Sequence, residues 1–168
     1  MKLQYLQVET PIGDFNIIIK SETAVVCTSG FGKLSELQKR LPKELASLKL
    51  EKANYHNSYG KLINAYFKGD VQALNDIPHK QNGSNFYQKT WKVMSTIKPG
   101  KTISYKELAI KSGNSSAVRP AGTACAQNRI PLIVPCHRII KSDGSAGNYL
   151  YGSSIKKYLL EHERKYTK

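Results

Sequence analysis

The sequence is poor in cysteine, acidic residues and long apolar runs, and each shortage excludes a class of protein. The chain has only three cysteines, Cys27, Cys125 and Cys136. An odd and small number is unlike a disulfide framework, so it favours a reducing compartment. The longest apolar runs, such as residues 17–19 and 130–134, are far shorter than the roughly 20 residues of a membrane helix, and the N-terminus does not resemble a secretory signal. We therefore expect no membrane association and a location in the cytoplasm or, in a eukaryote, the nucleus.

Metal ligands are also scarce, because no Cys-x-x-Cys pair occurs. The cysteines do not fall at zinc-ligand spacings from the four histidines, which are His56, His79, His137 and His162. We expect neither a metal site nor a cofactor.

The shortage of acidic residues is concentrated in the second half of the chain. Residues 84–168 contain 15 Lys/Arg and 4 Asp/Glu, whereas residues 1–83 contain 11 and 8. A positive field confined to one half favours a polyanionic partner, with nucleic acid ahead of an acidic membrane surface. A lysine-rich surface that only keeps the protein in solution explains the charge equally well.

Hydrophobic periodicity predicts an α/β arrangement in the first half. The predicted elements are strands at 3–8, 15–19, 24–28 and 48–50, and helices at 34–41 and 59–67. Polar residues at 81–85 then interrupt the apolar pattern. We therefore place a domain boundary there and predict domains at 1–83 and 84–168.

Helices dominate the predicted structure of the second half. The first covers residues 86–97. Ser104 and Glu107 then have the spacing of a capping box, which predicts a short helix that begins at Tyr105 and ends near Gly113.

A further helix is expected after a Gly-containing turn, capped by Ser115 or Ser116, with Pro120 near its first turn and its end at about Gln127. Two such helices are a helix-turn-helix candidate, in which the second is the recognition helix. Its small side chains fit either close helix packing or entry into a narrow groove. They are Ala121, Gly122, Thr123, Ala124, Cys125 and Ala126.

The most informative segment is 130–140, where Cys136, His137 and Arg138 interrupt an apolar run. Burying these polar groups is costly unless they have partners. One interpretation is that Cys136 is a small buried hydrophobe. The other is an activated thiolate, since a nearby histidine and arginine lower a thiol pKa. Neighbours in a straight strand point to opposite faces, so a turn at Pro135 or a bridging water must connect Cys136 to His137.

Pro135-Cys136-His137-Arg138 resembles the active-site motif of the methylated-DNA–protein-cysteine methyltransferases, also called alkylguanine-DNA alkyltransferases. Other segments resemble the family in the same order, at 10–13, 65–69, 99–105, 147–149 and 159–163. The resemblance implies an α+β protein with an N-terminal ribonuclease-H-like α/β domain and a C-terminal, mostly helical, winged-helix-like DNA-binding domain. It also implies repair of O6-alkylguanine in DNA, and of O4-alkylthymine as a further substrate, by a transfer that uses each molecule once.

The same resemblance implies roles for individual residues. Cys136 would accept the alkyl group, and His137 would help to remove the thiol proton through a water held between it and Glu163. Tyr105 would donate a proton to the departing guanine, whose developing negative charge needs a general acid.

The implied partner is double-stranded DNA, bound in the minor groove after the damaged nucleotide is rotated out, by a monomer without an obligate protein partner. Arg119 would enter the duplex in place of that nucleotide, and Asn128 would brace the hinge between recognition helix and active site. The groove-binding surface would consist of Ala121, Gly122, Thr123, Cys125 and Ala126. The alkylguanine pocket would be lined by Pro135, Ile139, Tyr149 and Leu150.

This sequence departs from the family pattern at three places. Leu150-Tyr151 precede Gly152 where the family usually has small residues, which bears on the size of alkyl group accepted. Arg119-Pro120-Ala121-Gly122 replaces the usual Arg-Ala-Val-Gly, and no proline follows Asn128-Arg129.

Two other functions remain open at this point. A non-catalytic lesion-binding protein would flip alkylguanine and recruit other repair factors, but the presence of Cys136 argues against it. A cysteine hydrolase using Cys136 and His137 would leave the basic half unexplained.

Overall fold

The computed structural model describes residues 1–54 and 58–168, and the chain divides into two compact units. The first unit combines Met1–Gln81 with Arg129–Ile133, and the second combines Asn82–Asn128 with Val134–Lys168. The division after Gln81 lies two residues before the predicted boundary. Segment 129–133, which we expected in the second domain, instead clusters with the first unit, so the chain leaves the second unit and returns to it.

The first unit is built on a four-stranded sheet with strand order β3-β2-β1-β4. The strands β1, β2 and β3 form an antiparallel meander, and β4 pairs parallel with β1. Apolar side chains from these strands form a core with residues of two short helices. The element bounds are β1 Leu3–Thr10, β2 Gly13–Lys20, β3 Val26–Phe31, α1 Leu34–Gln38, α2 Lys43–Ala46, β4 Leu50–Lys52 and α3 Ser58–Phe67.

The second unit is mainly helical. Trp91 on α4 donates a 2.9 Å hydrogen bond from Nε1 to the Ala124 carbonyl on α6, which fixes these two helices together. Among the described residues, no helix is both long and apolar enough to cross a membrane. With a sheet in the first unit and helices in the second, the predicted α+β class is confirmed. The bounds are α4 Asn85–Thr96, β5 Ile103–Ser104, α5 Tyr105–Lys111, α6 Val118–Ala126, β6 Ile139–Ile140 and α7 Ser153–Lys165.

The helix caps follow local sequence at α5 but not at α6. Both bonds of the predicted capping box are present, because Glu107 N donates to Ser104 Oγ at 3.0 Å and Ser104 N donates to Glu107 Oε2 at 2.7 Å. The cap predicted for α6 at Ser115 or Ser116 is wrong. Its N-cap residue is Ala117, and Ser116 N instead donates to Asn114 Oδ1, since a polar turn precedes the helix.

Candidate active site

The chain turns at Cys136 rather than running straight. Residues Cys136–Arg138 form a 3₁₀ turn in which Arg138 N donates to the Pro135 carbonyl at 3.1 Å, and Cys136 N donates to Val134 O at 2.9 Å. A turn at Pro135, one of the two arrangements expected from the motif, is therefore present. It lets three successive polar residues point inward, with Cys136 only 7% exposed.

His137 contacts Glu163 directly. Its Nε2 donates to Glu163 Oε1 at 2.8 Å, and both side chains are fully buried. This distance leaves no space for the water expected between them, so that part of the prediction is wrong. The other ring nitrogen, Nδ1, is buried and accepts no hydrogen bond from the residues that the structure describes.

Arg138 neutralises the same carboxylate. Its Nε donates to Glu163 Oε2 at 2.9 Å and its Nη2 donates to Oε1 at 2.8 Å, while Nη1 donates to the Ile97 carbonyl at 2.6 Å. A bidentate guanidinium is the geometry that best offsets the desolvation of a buried carboxylate. The sequence suggested Arg138 only as a charge that lowers the Cys136 thiol pKa, whereas the structure pairs it with Glu163.

These contacts set the charges of the cluster. Burial on its own raises the pKa of Glu163. The hydrogen bonds from His137 and Arg138 and their positive charges, that of His137 arising only in acid where Glu163 titrates, outweigh burial and hold that pKa well below its usual range. Burial lowers the pKa of His137, the charge and hydrogen bond of Glu163 raise it, and the charges of Arg138 and Lys156 lower it further, so that the pKa lies below its usual value. His137 is therefore neutral near pH 7, with the proton on Nε2 and a lone pair on Nδ1.

Tyr105 is the first residue of α5, held in place by the Ser104 cap. Burial, followed by the nearby thiols of Cys125 and Cys136, raises the pKa of Tyr105 to about 12. Gly147 packs against the phenol, since a Cβ at that position would lie 3.0 Å from its oxygen, and the Gly147 φ of 76° also disfavours a side chain. The phenol thus keeps its proton and has a defined position.

Lys156 is a member of this cluster that the sequence reasoning missed. Its side chain is fully buried, and Nζ donates to the Ile139 carbonyl at 2.6 Å and to the Asn148 carbonyl at 3.3 Å. Nζ also lies 5.8 Å from the centre of the Tyr105 ring. Burial lowers the Lys156 pKa against the opposing influence of Cys136. Lys156, Leu159 and Glu163 have the i, i+3, i+7 spacing of one helix face, and this pattern could have indicated that Lys156 is buried.

Within the described ranges, no group of three or more His, Cys, Asp or Glu side chains could hold an ion. His56, one of the histidines in the sequence argument, lies outside the described residues.

Comparisons with known proteins agree with this geometry. The family model for the DNA-binding domain of 6-O-methylguanine DNA methyltransferase matches residues 85–165 of this chain. The methylated-DNA–protein-cysteine methyltransferase of Methanosarcina barkeri is 31% identical over 161 residues, which cover 96% of this chain and 97% of that protein. The chain belongs to this family.

Solved structures of methyltransferases share the fold over nearly the whole chain. The O6-methylguanine methyltransferase of Mycobacterium tuberculosis gives a TM-score of 0.79 at 28% identity, covering 99% of this chain and 95% of that one. The OGT protein of the same organism in complex with DNA gives 0.78 at 27% identity, covering 97% and 94%. Family membership therefore extends to both units of the structure.

Helix α6 exposes only part of the set that we predicted for the groove-binding surface. Arg119, Thr123 and Ala126 are exposed, and Gly122 and Cys125 are half-buried. Ala121 is fully buried, so its methyl group packs inside the second unit and the assignment of its side chain to the groove-binding surface is corrected. The helical repeat puts Ala121 on the face of α6 opposite to exposed Thr123.

The residues predicted to form the hinge and the alkylguanine pocket differ in how deeply they are buried. Asn128 is buried, and its Nδ2 donates to the Val134 carbonyl at 2.9 Å, which links the end of α6 to the active-site turn. Pro135 and Ile139 are buried, Tyr149 is half-buried, and Leu150 is 58% exposed.

Proposed function

We propose that this protein repairs DNA by direct damage reversal, transferring the alkyl group from O6 of guanine to Sγ of Cys136. The observation that supports the proposal is the buried turn that contains both Cys136 and a neutral His137, whose Nε2 donates a hydrogen bond to Glu163. Membership of the methyltransferase family supports the substrate class. Because the product is a thioether without a low-energy route back to a thiol, each molecule acts once.

The proton of Cys136 leaves through a water to Nδ1 of His137. Glu163 accepts a hydrogen bond from Nε2–H, so it fixes the tautomer and stabilises the imidazolium that forms. The thiolate then attacks the alkyl carbon, the bond between that carbon and O6 breaks, and its electrons move onto guanine. Tyr105 donates a proton to the departing base, a role supported by the defined position of its phenol against Gly147.

DNA binds through the second unit, which is strongly basic. Residues 84–168 contain 15 Lys/Arg and 4 Asp/Glu, and all of them except Arg129 belong to this unit. The exposed residues Thr123 and Ala126, together with Gly122, give α6 a small profile suited to the minor groove. Exposed Arg119 at its start fills the space left by the rotated nucleotide. The protein acts as a monomer, in the cytoplasm or, in a eukaryote, the nucleus.

Intact-mass spectrometry tests the transfer. After mixing with duplex DNA that contains O6-methylguanine, the wild-type protein should gain the mass of one methylene on the peptide that contains Cys136. Cys136→Ala should gain nothing, whereas Cys125→Ala, which removes another thiol of the same unit, should still be methylated. An unchanged wild-type mass with retained DNA binding would support the lesion-binding function instead, and repair of several lesions by one molecule would contradict a single transfer.

Salt dependence tests the partner separately. If lysine and arginine side chains meet phosphates, the affinity for duplex DNA should fall steeply as salt is raised, by about 10³-fold between 50 and 200 mM for six contacts. A flat response would count against DNA as the partner.

A further inference from the structure

The segment Arg129–Ile133 is hydrogen-bonded to strand β3 of the first unit. Ser29 N donates to the Arg129 carbonyl at 3.0 Å, and Thr28 Oγ1 donates to the same carbonyl at 2.8 Å. Ser29 Oγ donates to the Pro131 carbonyl at 2.7 Å. Two side-chain hydroxyls and one backbone amide therefore hold two carbonyls of this segment, those of Arg129 and Pro131.

These hydroxyls occupy unusual positions for polar groups. All six residues of β3 are buried, and Thr28 and Ser29 are fully so. A buried hydroxyl is costly without a hydrogen bond, and apolar residues would suit a buried strand better. The hydrogen bonds to segment 129–133 offset the cost of burying these two hydroxyls.

The segment itself is strained at Leu132. This residue is buried, yet its φ is +72°, in the left-handed region that a bulky side chain rarely adopts. Such a conformation persists only where the surrounding structure enforces it. The bonds to Arg129 and Pro131 lie immediately before the strained residue.

The two ends of the segment connect to the active-site turn. Asn128 Nδ2 donates to the Val134 carbonyl at 2.9 Å, and this bond joins the two residues that flank segment 129–133. The same carbonyl accepts from Cys136 N at 2.9 Å. A shift of segment 129–133 would therefore move Val134 and, through it, the backbone of Cys136.

We propose that Thr28 and Ser29 are positioning residues for alkyl transfer. By holding Arg129 and Pro131 they fix the strained segment, and the segment fixes the Val134 carbonyl that anchors Cys136. The role rests on the proposed function, since it concerns the placement of the alkyl acceptor.

Matched substitutions test this role. Thr28→Val keeps the shape and removes the hydroxyl, whereas Thr28→Ser keeps the hydroxyl, and Ser29→Ala removes the second one. Ser21→Ala is the control, because Ser21 Oγ donates to the Lys2 carbonyl at 3.0 Å elsewhere in the first unit. The measurements are the single-turnover rate constant for methyl transfer, the Kd for duplex DNA and hydrogen exchange of amides 129–136.

In the double variant Thr28→Val/Ser29→Ala, the rate constant should fall by about tenfold or more, because small misplacements of a reacting group are costly, while Kd changes by less than about twofold. Exchange at 129–136 should rise. Thr28→Ser and Ser21→Ala should match the wild type. If the double variant does not fold, the Thr28→Val and Thr28→Ser pair decides the question alone.

Three results would overturn the positioning role. They are an unchanged rate in the hydroxyl-free variants, an equal loss in Thr28→Ser and Thr28→Val, and a rate loss fully explained by a smaller folded fraction. A wild-type protein that fails to transfer methyl at all would instead overturn the proposed function.

Discussion

Nε2 of His137 lies 2.8 Å from Oε1 of Glu163, and both side chains are fully buried. These residues are 26 positions apart, one in the 3₁₀ turn and the other on α7. The same carboxylate accepts two hydrogen bonds from Arg138. One buried charge thus orients the imidazole and neutralises the guanidinium, so its loss should affect both stability and alkyl transfer.

Replacing Glu163 by glutamine should lower the free energy of unfolding by about 3–5 kcal/mol, because Arg138 would remain buried without a counter-charge. Urea unfolding followed by circular dichroism measures this difference. Glu161→Gln is the matched control on the same helix, since its side chain is 61% exposed and its surface pair with Lys157 contributes little. A similar loss in the two variants would contradict the structural account of Glu163.

The pH dependence of stability should also depend on the His137–Glu163 pair. The pKa of His137 lies below its usual 6.5 and that of Glu163 below its usual 4.5, so each group binds fewer protons in the folded state. Their stabilisation is present above these usual values and is lost as pH falls. The Tm of the wild type should therefore decrease below pH 6.5 and again below pH 4.5, whereas His137→Gln should lack the first decrease. A Tm that rises on acidification would show that His137 is charged.

Local sequence was enough to predict the elements whose hydrogen bonds are local. The Ser104–Glu107 capping box joins residues three positions apart, and both of its bonds form. The cap of α6 failed because several polar side chains compete in the turn before it, where Asn114 takes the backbone amide of Ser116. Single-residue assignments at helix starts are therefore less secure than a capping box with two reciprocal bonds.

Long-range contacts were beyond sequence reasoning. The hydroxyl of Ser29 meets the Pro131 carbonyl across 102 positions, which neither charge nor periodicity indicates. Lys156 was missed because lysine is rarely fully buried, so a lysine on a helix is normally interpreted as solvent-exposed. The motif placed Cys136 and His137 in the site, but only coordinates could show that Glu163 contacts the imidazole directly.

Tyr105→Phe should lower the single-turnover rate constant for methyl transfer by about a hundredfold, because the departing guanine would lose its proton donor. The Kd for duplex DNA should stay close to that of the wild type. Tyr87→Phe is the control, since that ring packs against Trp91 in the same unit with centroids 5.7 Å apart. Rapid-quench kinetics measures the rates, and wild-type transfer by Tyr105→Phe would exclude the phenol as the acid.

Lys156→Met tests whether the buried ammonium organises the site. Methionine keeps the length of the apolar stem but removes the bonds to the carbonyls of Ile139 and Asn148, so the chain around Asn148 should become more mobile. Amide exchange at 147–151 should rise, and the methyl-transfer rate constant should fall by about tenfold, the order expected for losing a charged hydrogen bond. Lys157→Met is the control, because its side chain is 74% exposed. Lys156→Met preserves the apolar stem and removes only the ammonium group. If amide exchange and the methyl-transfer rate constant are equal in the two variants, the ammonium does not organise the site and Lys156 contributes only packing.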